Sequence, residues 1–285
     1  MHSKINKIRS NFGFILILSF FSSVTYAEVP LGTVKKVIEE RSVPMWKKRA
    51  EDSIALNKNS SDKSWKEIWK ALDNTEKTVS SGAALQNATS PRSQNELGAS
   101  LEWLRWKILT QGADGRYSYA YSYLLGNLKN SKGDLSTEAA IFLYHARLSL
   151  AIENARCEDK TSSRNVIDGY ELQPDFQPIL KNTENLPANV KAVSWLEAIA
   201  IEEMVGKRPV FEKMCSMGSK ATLSALSKES NIKKTKDKTI GNAPADNNYE
   251  IDTSKEKVER LPAEEWRKLR RDILDKKTAE AAKAL

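Results

Sequence analysis

The stretch "LSTEAAIFLYHARLSLAIENARC", residues 135–157, decides the fold class. It runs for more than twenty residues without a glycine or proline. Ala139, Phe142, Leu143, Ala146 and Leu150 recur at three- and four-residue steps, the spacing of a helix that buries one side. Cys157 lies 18 residues after Ala139, about five turns at 3.6 residues each. It therefore belongs to the same seam.

Working outward, other stretches repeat that period. Trp65, Ile68, Trp69 and Leu72 stand at i, i+3, i+4 and i+7. Leu97, Leu101, Leu104 and Ile108 follow, and then Val190, Val193, Leu196, Ala200 and Met204 line a further helix closed by Gly206 and Pro209. Nearer the start, Val34, Val37, Ile38, Trp46, Ala50 and Ile54 have helical spacing interrupted by Pro44, which predicts two short helices or one broken one. Residues 74–94 read as a polar connection and residues 158–187 as loop-rich, with a short helix around Phe176–Leu180. No stretch alternates apolar and polar residues for long enough to make a sheet. The expected class is all-α, an irregular array of helical hairpins.

Composition divides the chain. Residues 1–27 carry Lys4, Lys7 and Arg9, then the apolar run Phe12–Phe21, then small residues at Thr25 and Ala27. That is the order of a secretory signal peptide, with an uncleaved membrane tether as the alternative. A helical domain is expected over 28–228, its core at about 95–228. Residues 229–257 are polar and charged and read as a flexible linker, because they cannot bury enough apolar surface to offset chain entropy. A terminal helix over 258–285 carries the narrow stripe Trp266, Leu269 and Ile273.

The whole-chain charge is +8, from 45 basic and 37 acidic residues. Removing the three leader bases leaves 42 against 37, or +5. Bases and acids are interleaved, and no zinc-finger spacing, RNA-recognition motif or sustained basic block is present. No nucleic-acid partner is expected. No second apolar run is long enough to span a bilayer, so no integral membrane segment is expected after leader cleavage.

Residues 97–150 resemble a degenerate Sel1-type repeat, a tetratricopeptide-like family of paired helices. The resemblance rests on Leu125–Gly126, then Gly133–Asp134, then Ala139, Phe142 and Ala146, with Phe142 in the place the family usually gives to Trp. The segment from Gly112 to Gly126 is several residues longer than the family's. The resemblance covers about a fifth of the chain. It implies helix hairpins and an interaction role, and it carries no catalytic residues.

Chemistry-bearing motifs are sparse. His145 is the only histidine after the leader, which excludes a multi-histidine metal site. It reads either as a general base or as an ordinary helix residue at the core boundary. No G-x-S-x-G elbow, phosphate loop or dinucleotide fingerprint is present, and no cofactor is expected. Glu96, near Trp103 and Trp106, is a candidate acid, but helix N-termini favour acids for electrostatic reasons alone. Glu202 and Glu203 read as solvated. The candidate binding surface is aromatic: Trp103, Trp106, Tyr117 and Tyr119, with Tyr121 and Tyr123 following. Flat faces with polar tips suit a glycan or a peptide, and they suit helix packing equally well.

The two cysteines, Cys157 and Cys215, lack metal-ligand spacing. In an exported chain an even count predicts a disulfide, here closing a loop of about 58 residues. These features predict a non-enzymatic interaction protein of the bacterial envelope, located in the periplasm with an envelope protein as partner. The alternatives are a cell-wall-active enzyme with an unrecognised carboxylate site, and a binding module for glycan or anionic polymer.

Overall fold

The computed structural model describes residues 29–59, 63–128, 135–206, 214–228, 232–234, 249–251 and 260–285. The leader-like segment 1–27, Gly133–Asp134 and most of residues 229–257 lie outside them. In chain order the helices are α1 (Leu31–Val37), α2 (Val43–Asn59), α3 (Lys63–Thr78), α4 (Ser81–Thr89), α5 (Gln94–Gln111), α6 (Gly115–Gly126), α7 (Ser136–Asn154), α8 (Ser162–Glu171), α9 (Gln177–Glu184), α10 (Ala188–Val205), α11 (Ser219–Leu226) and α12 (Ala263–Ala282). The described residues are otherwise helical save for one antiparallel pair, β1 (Ile232–Lys234) and β2 (Tyr249–Ile251), with Ile232 opposite Ile251. The fold is thus a multi-helix one with irregular packing. The six strand residues are the described part of the stretch read as a linker.

Local chemistry explains the boundaries. Pro44 does not break the first helical run. Instead a π-helical stretch, Ile38–Ser42, joins α1 to α2, and the N–H of Val43 bonds back to Ile38 O. A widened turn accommodates a proline that has no N–H and crowds the preceding carbonyls. Residues 74–94 hold a helix that the polar composition concealed. Ser80 Oγ caps α4 by accepting from Ala83 N at 3.1 Å, and Ala84, Leu85 and Ala88 are buried. Ser93 caps α5 in the same way. That helix ends at Gly112, whose φ of 62° is the left-handed conformation glycine adopts without strain. Asp114 then caps α6 through Arg116 N at 3.0 Å.

The described residues fall into two compact units: those within 29–149, 174–206 and 274–285 make one, and those within 150–173 and 214–273 the other. In the first, α5 packs on α2, α3 and α6, while α10 packs on α2. Phe142 lies at its centre, with Trp46 edge-on at 5.8 Å and Tyr121 edge-on at 4.4 Å. Gly126 lets α9 approach α6: a Cβ there would stand 2.6 Å from Ile179 Cγ1. Lys35 of α1 meets Asp275 of α12 at 2.7 Å.

In the second unit the end of α7 is stapled. Cys157 and Cys215 form a disulfide with Cα atoms 5.2 Å apart, and both residues are buried. The loop beyond Cys157 is organised by Asp159, which accepts from Thr161 N at 3.0 Å, Thr161 Oγ1 at 2.7 Å and Lys220 N at 2.7 Å. Asp159 thereby satisfies a free N–H at the start of α11. Residues 158–187 are more helical than their composition suggested, since they contain α8, a 3-10 turn at Pro174–Phe176, and α9. The approach to α12 runs beside the disulfide. Cys157 pairs in a β-bridge with Arg260, and Leu261 N donates to Arg156 O at 2.9 Å. Trp266 Nε1 donates to Ile152 O at 3.1 Å, and the Arg156 guanidinium lies 3.7 Å from the Trp266 ring centre.

Candidate functional site

The aromatic residues singled out from the sequence serve mainly as packing. Trp103, Tyr117 and Tyr119 are buried, and Trp106 is half-buried. Trp103 Nε1 donates to Asp73 Oδ1 at 2.9 Å. The Tyr117 hydroxyl donates to Glu76, and burial together with that bond pushes its pKa far above the usual phenol range. Tyr119 packs edge-on against Phe176 at 5.6 Å, and Tyr123 stacks on the same ring at 6.4 Å. Trp106 and Tyr123 retain some exposure, and Trp106 stacks on Trp69 at 5.8 Å. The four rings do not line one groove.

The groups able to move protons are enclosed. Glu197 of α10 is 1% exposed, and it accepts from Ser42 Oγ at 2.9 Å and Trp46 Nε1 at 2.7 Å. Burial raises its pKa, against the opposing pull of those two donors and of Arg49. Glu102 of α5 is likewise raised by burial, and its partner Arg105, 2.5 Å away, opposes the shift. Arg105 Nε also donates to Ser53 Oγ at 3.1 Å. Glu138 accepts from the Tyr121 hydroxyl at 3.3 Å and lies 3.7 Å from Arg49. A carboxyl with a raised pKa is the chemistry of a general acid. Here Glu197 and Glu138 are held by side chains from other helices, which fixes the register of α2, α6, α7 and α10, while Glu102 is held by Arg105 of its own helix.

A second enclosed row contains a nucleophile-like residue. Ser118 Oγ is 2.8 Å from His145 Nδ1, and His145 Nε2 is 3.6 Å from Glu202 Oε2. Ser–His–acid order is the order of a hydrolase triad. Their exposures are 0%, 0% and 1%, so no substrate reaches Ser118 without the helices parting. Ser118 also sits within α6, where the backbone N–H groups are spent on the helix and cannot form an oxyanion hole. Glu202, read from the sequence as solvated, is buried because α10 is covered on that side. Glu96 is half-buried and acts locally, its carboxylate accepting from Arg92 N at 2.6 Å ahead of α5.

The open surface lies elsewhere, along α3. Lys66, Trp69, Lys70, Asp73, Asn74 and Lys77 line a concavity of about 390 Å³. Trp69 forms its floor, fixed by its Nε1 bond to Ala99 O at 2.8 Å. Lys107 of α5 bonds Asp73 at 2.8 Å and Glu76 at 2.5 Å, which neutralises the acids nearest the concavity. The sequence stripe Trp65–Leu72 located this helix but gave no sign that its lysine side stays open. Among the described residues no cluster of three or more His, Cys, Asp or Glu could hold a metal ion, and no helix is long and apolar enough to cross a membrane. No protein-family model, curated protein or solved structure matches the chain.

Proposed function

We propose that the chain is an exported, non-enzymatic interaction protein of the bacterial envelope, built as an irregular helical array and acting through its surface. The carrying observation is the division between enclosed and open groups. Glu102, Glu138, Glu197 and His145 are buried and bonded, Glu102 within its own helix and the others to residues of other helices, while the open concavity presents lysine, asparagine and tryptophan beside one paired acid, Asp73. The Cys157–Cys215 disulfide supports residence in an oxidising compartment, as does the leader-like order of residues 1–27. The Sel1-type relationship suggested by Leu125–Gly126 and Ala139–Ala146 belongs to the same reading, since helix hairpins of that kind serve as binding scaffolds.

Two measurements test it. Crosslinking and affinity capture from an envelope fraction, with the full chain, should recover a specific protein partner. Purified cell wall incubated with the same protein should show no clearing. Clearing that disappears in a Glu197→Gln or Glu102→Gln variant would establish the wall-active alternative instead.

A further inference from the structure

Lys66, Lys70 and Lys77 share one side of α3, and they differ from the paired cations of the first unit. Lys35, Lys107, Arg49, Arg105 and Arg116 each stand within 4 Å of a carboxylate. Lys66, Lys70 and Lys77 are exposed and form no ion pair among the described residues. At 100° per residue they fall within about 40° of one another around the axis of α3. The concavity they edge is floored by an indole, and its one acid, Asp73, is already bonded to Lys107 and Trp103.

We infer that this side of α3 is a docking surface for an extended acidic peptide segment of a protein partner. The inference rests on the interaction reading above and names the surface and partner chemistry it lacks. Charge complementarity gives the sign, since three unpaired ammonium groups are left beside carboxylates that are already neutralised. Spacing gives the shape. Lys66 and Lys70 are about 6 Å apart along the helix axis at 1.5 Å per residue, close to the roughly 6.7 Å between alternate residues of an extended chain. From Lys66 to Lys77 the rise is about 16 Å, the length of about five extended residues. The occupant therefore carries carboxylates two residues apart opposite Lys66 and Lys70, and a third about three residues further on opposite Lys77. Opposite Asp73 it carries a neutral side chain.

The probe is a fluorescein-labelled hexapeptide, Glu-Ser-Glu-Ser-Ser-Glu, compared with its counterpart carrying Gln for each Glu, read by anisotropy with the full chain. The Glu peptide should bind, and added salt should weaken it. The Gln peptide should bind about tenfold more weakly or not at all. A triple reversal, Lys66→Glu, Lys70→Glu and Lys77→Glu, should weaken the Glu peptide about tenfold. A control reversal of the exposed Lys47, Lys48 and Lys181 should leave it within about twofold, with unchanged circular dichroism in both variants. No binding of the Glu peptide at about 1 mM overturns the proposal, and so does equal loss in the two triple variants. Vesicles of anionic lipid that bind through the three lysines while the peptide does not would assign the surface to a membrane and overturn it too. Envelope capture that survives the α3 reversal removes this surface but leaves the interaction reading standing, whereas cell-wall clearing by the unmodified protein removes that reading itself.

Discussion

Glu197 shows how a buried carboxyl acts at the scale of one residue. Its raised pKa means the folded state holds the proton more tightly than the unfolded chain does. Its contribution is therefore complete below the ordinary glutamate value of 4.5 and is lost as pH rises through the folded value. Glu197→Gln removes that dependence while keeping one acceptor for Trp46 and a donor for Ser42. The stability of the Gln variant relative to the unmodified protein should rise as pH increases from about 4 to 8, measured from urea midpoints. Glu197→Ala should cost about 2–4 kcal/mol near pH 4, since it strands the Trp46 N–H and opens a cavity, and that cost should shrink as pH rises. Gly126 makes the steric counterpart. Gly126→Ala should destabilise by about 1–3 kcal/mol, because its Cβ would press on Ile179. Adding Ile179→Ala should cost less than the sum of the single changes, as a double-mutant cycle would show.

At the scale of elements, local signals were the legible ones. The stripes of α3, α5, α7 and α10 follow from apolar residues three and four apart, and the same counting put Cys157 on the buried seam. What stayed hidden was either capped or non-local. Helix α4 is short and rich in Ala and Ser, and its sign was the Ser80 cap ahead of Ala84, Leu85 and Ala88. The partners of Glu197 lie 155 and 151 residues away, a separation that leaves no local pattern, so the enclosed acids were not readable, whereas helix packing was one of the two readings the aromatic cluster allowed. The Asp159 cap on α11 is likewise non-local, joining residues 61 apart. Partial burial pushes the Asp159 pKa up, and the bonds from Thr161 and Lys220 outweigh this to hold it below the usual carboxylate value. Its stabilisation is present above the ordinary value of 3.8 and is lost as pH falls through the folded one. Asp159→Ala should therefore cost about 1 kcal/mol near neutral pH, with the difference closing in acid, measured by denaturation at a series of pH values.

For the molecule as a whole, the disulfide and the enclosed acids stabilise separate units. Packing in the first unit rests on Phe142, Trp46, Tyr121 and the carboxylate bonds between helices, none of which involves a cysteine. The second unit gathers its order around Cys157: the bridge to Arg260, the Leu261 bond and the Trp266 contacts all lie within a few residues of the staple. A closed loop of 58 residues is worth roughly 4 kcal/mol in the chain-entropy account. Reduction should accordingly act unevenly. In hydrogen exchange, dithiothreitol or the Cys157→Ser and Cys215→Ser pair should speed exchange at Cys157, Lys220 and Leu261, whose amides are held near the disulfide. Amides in α2, α5 and α10 should change far less. Uniform loss across both sets would show that the staple supports the whole helical body, and that the two units do not open independently.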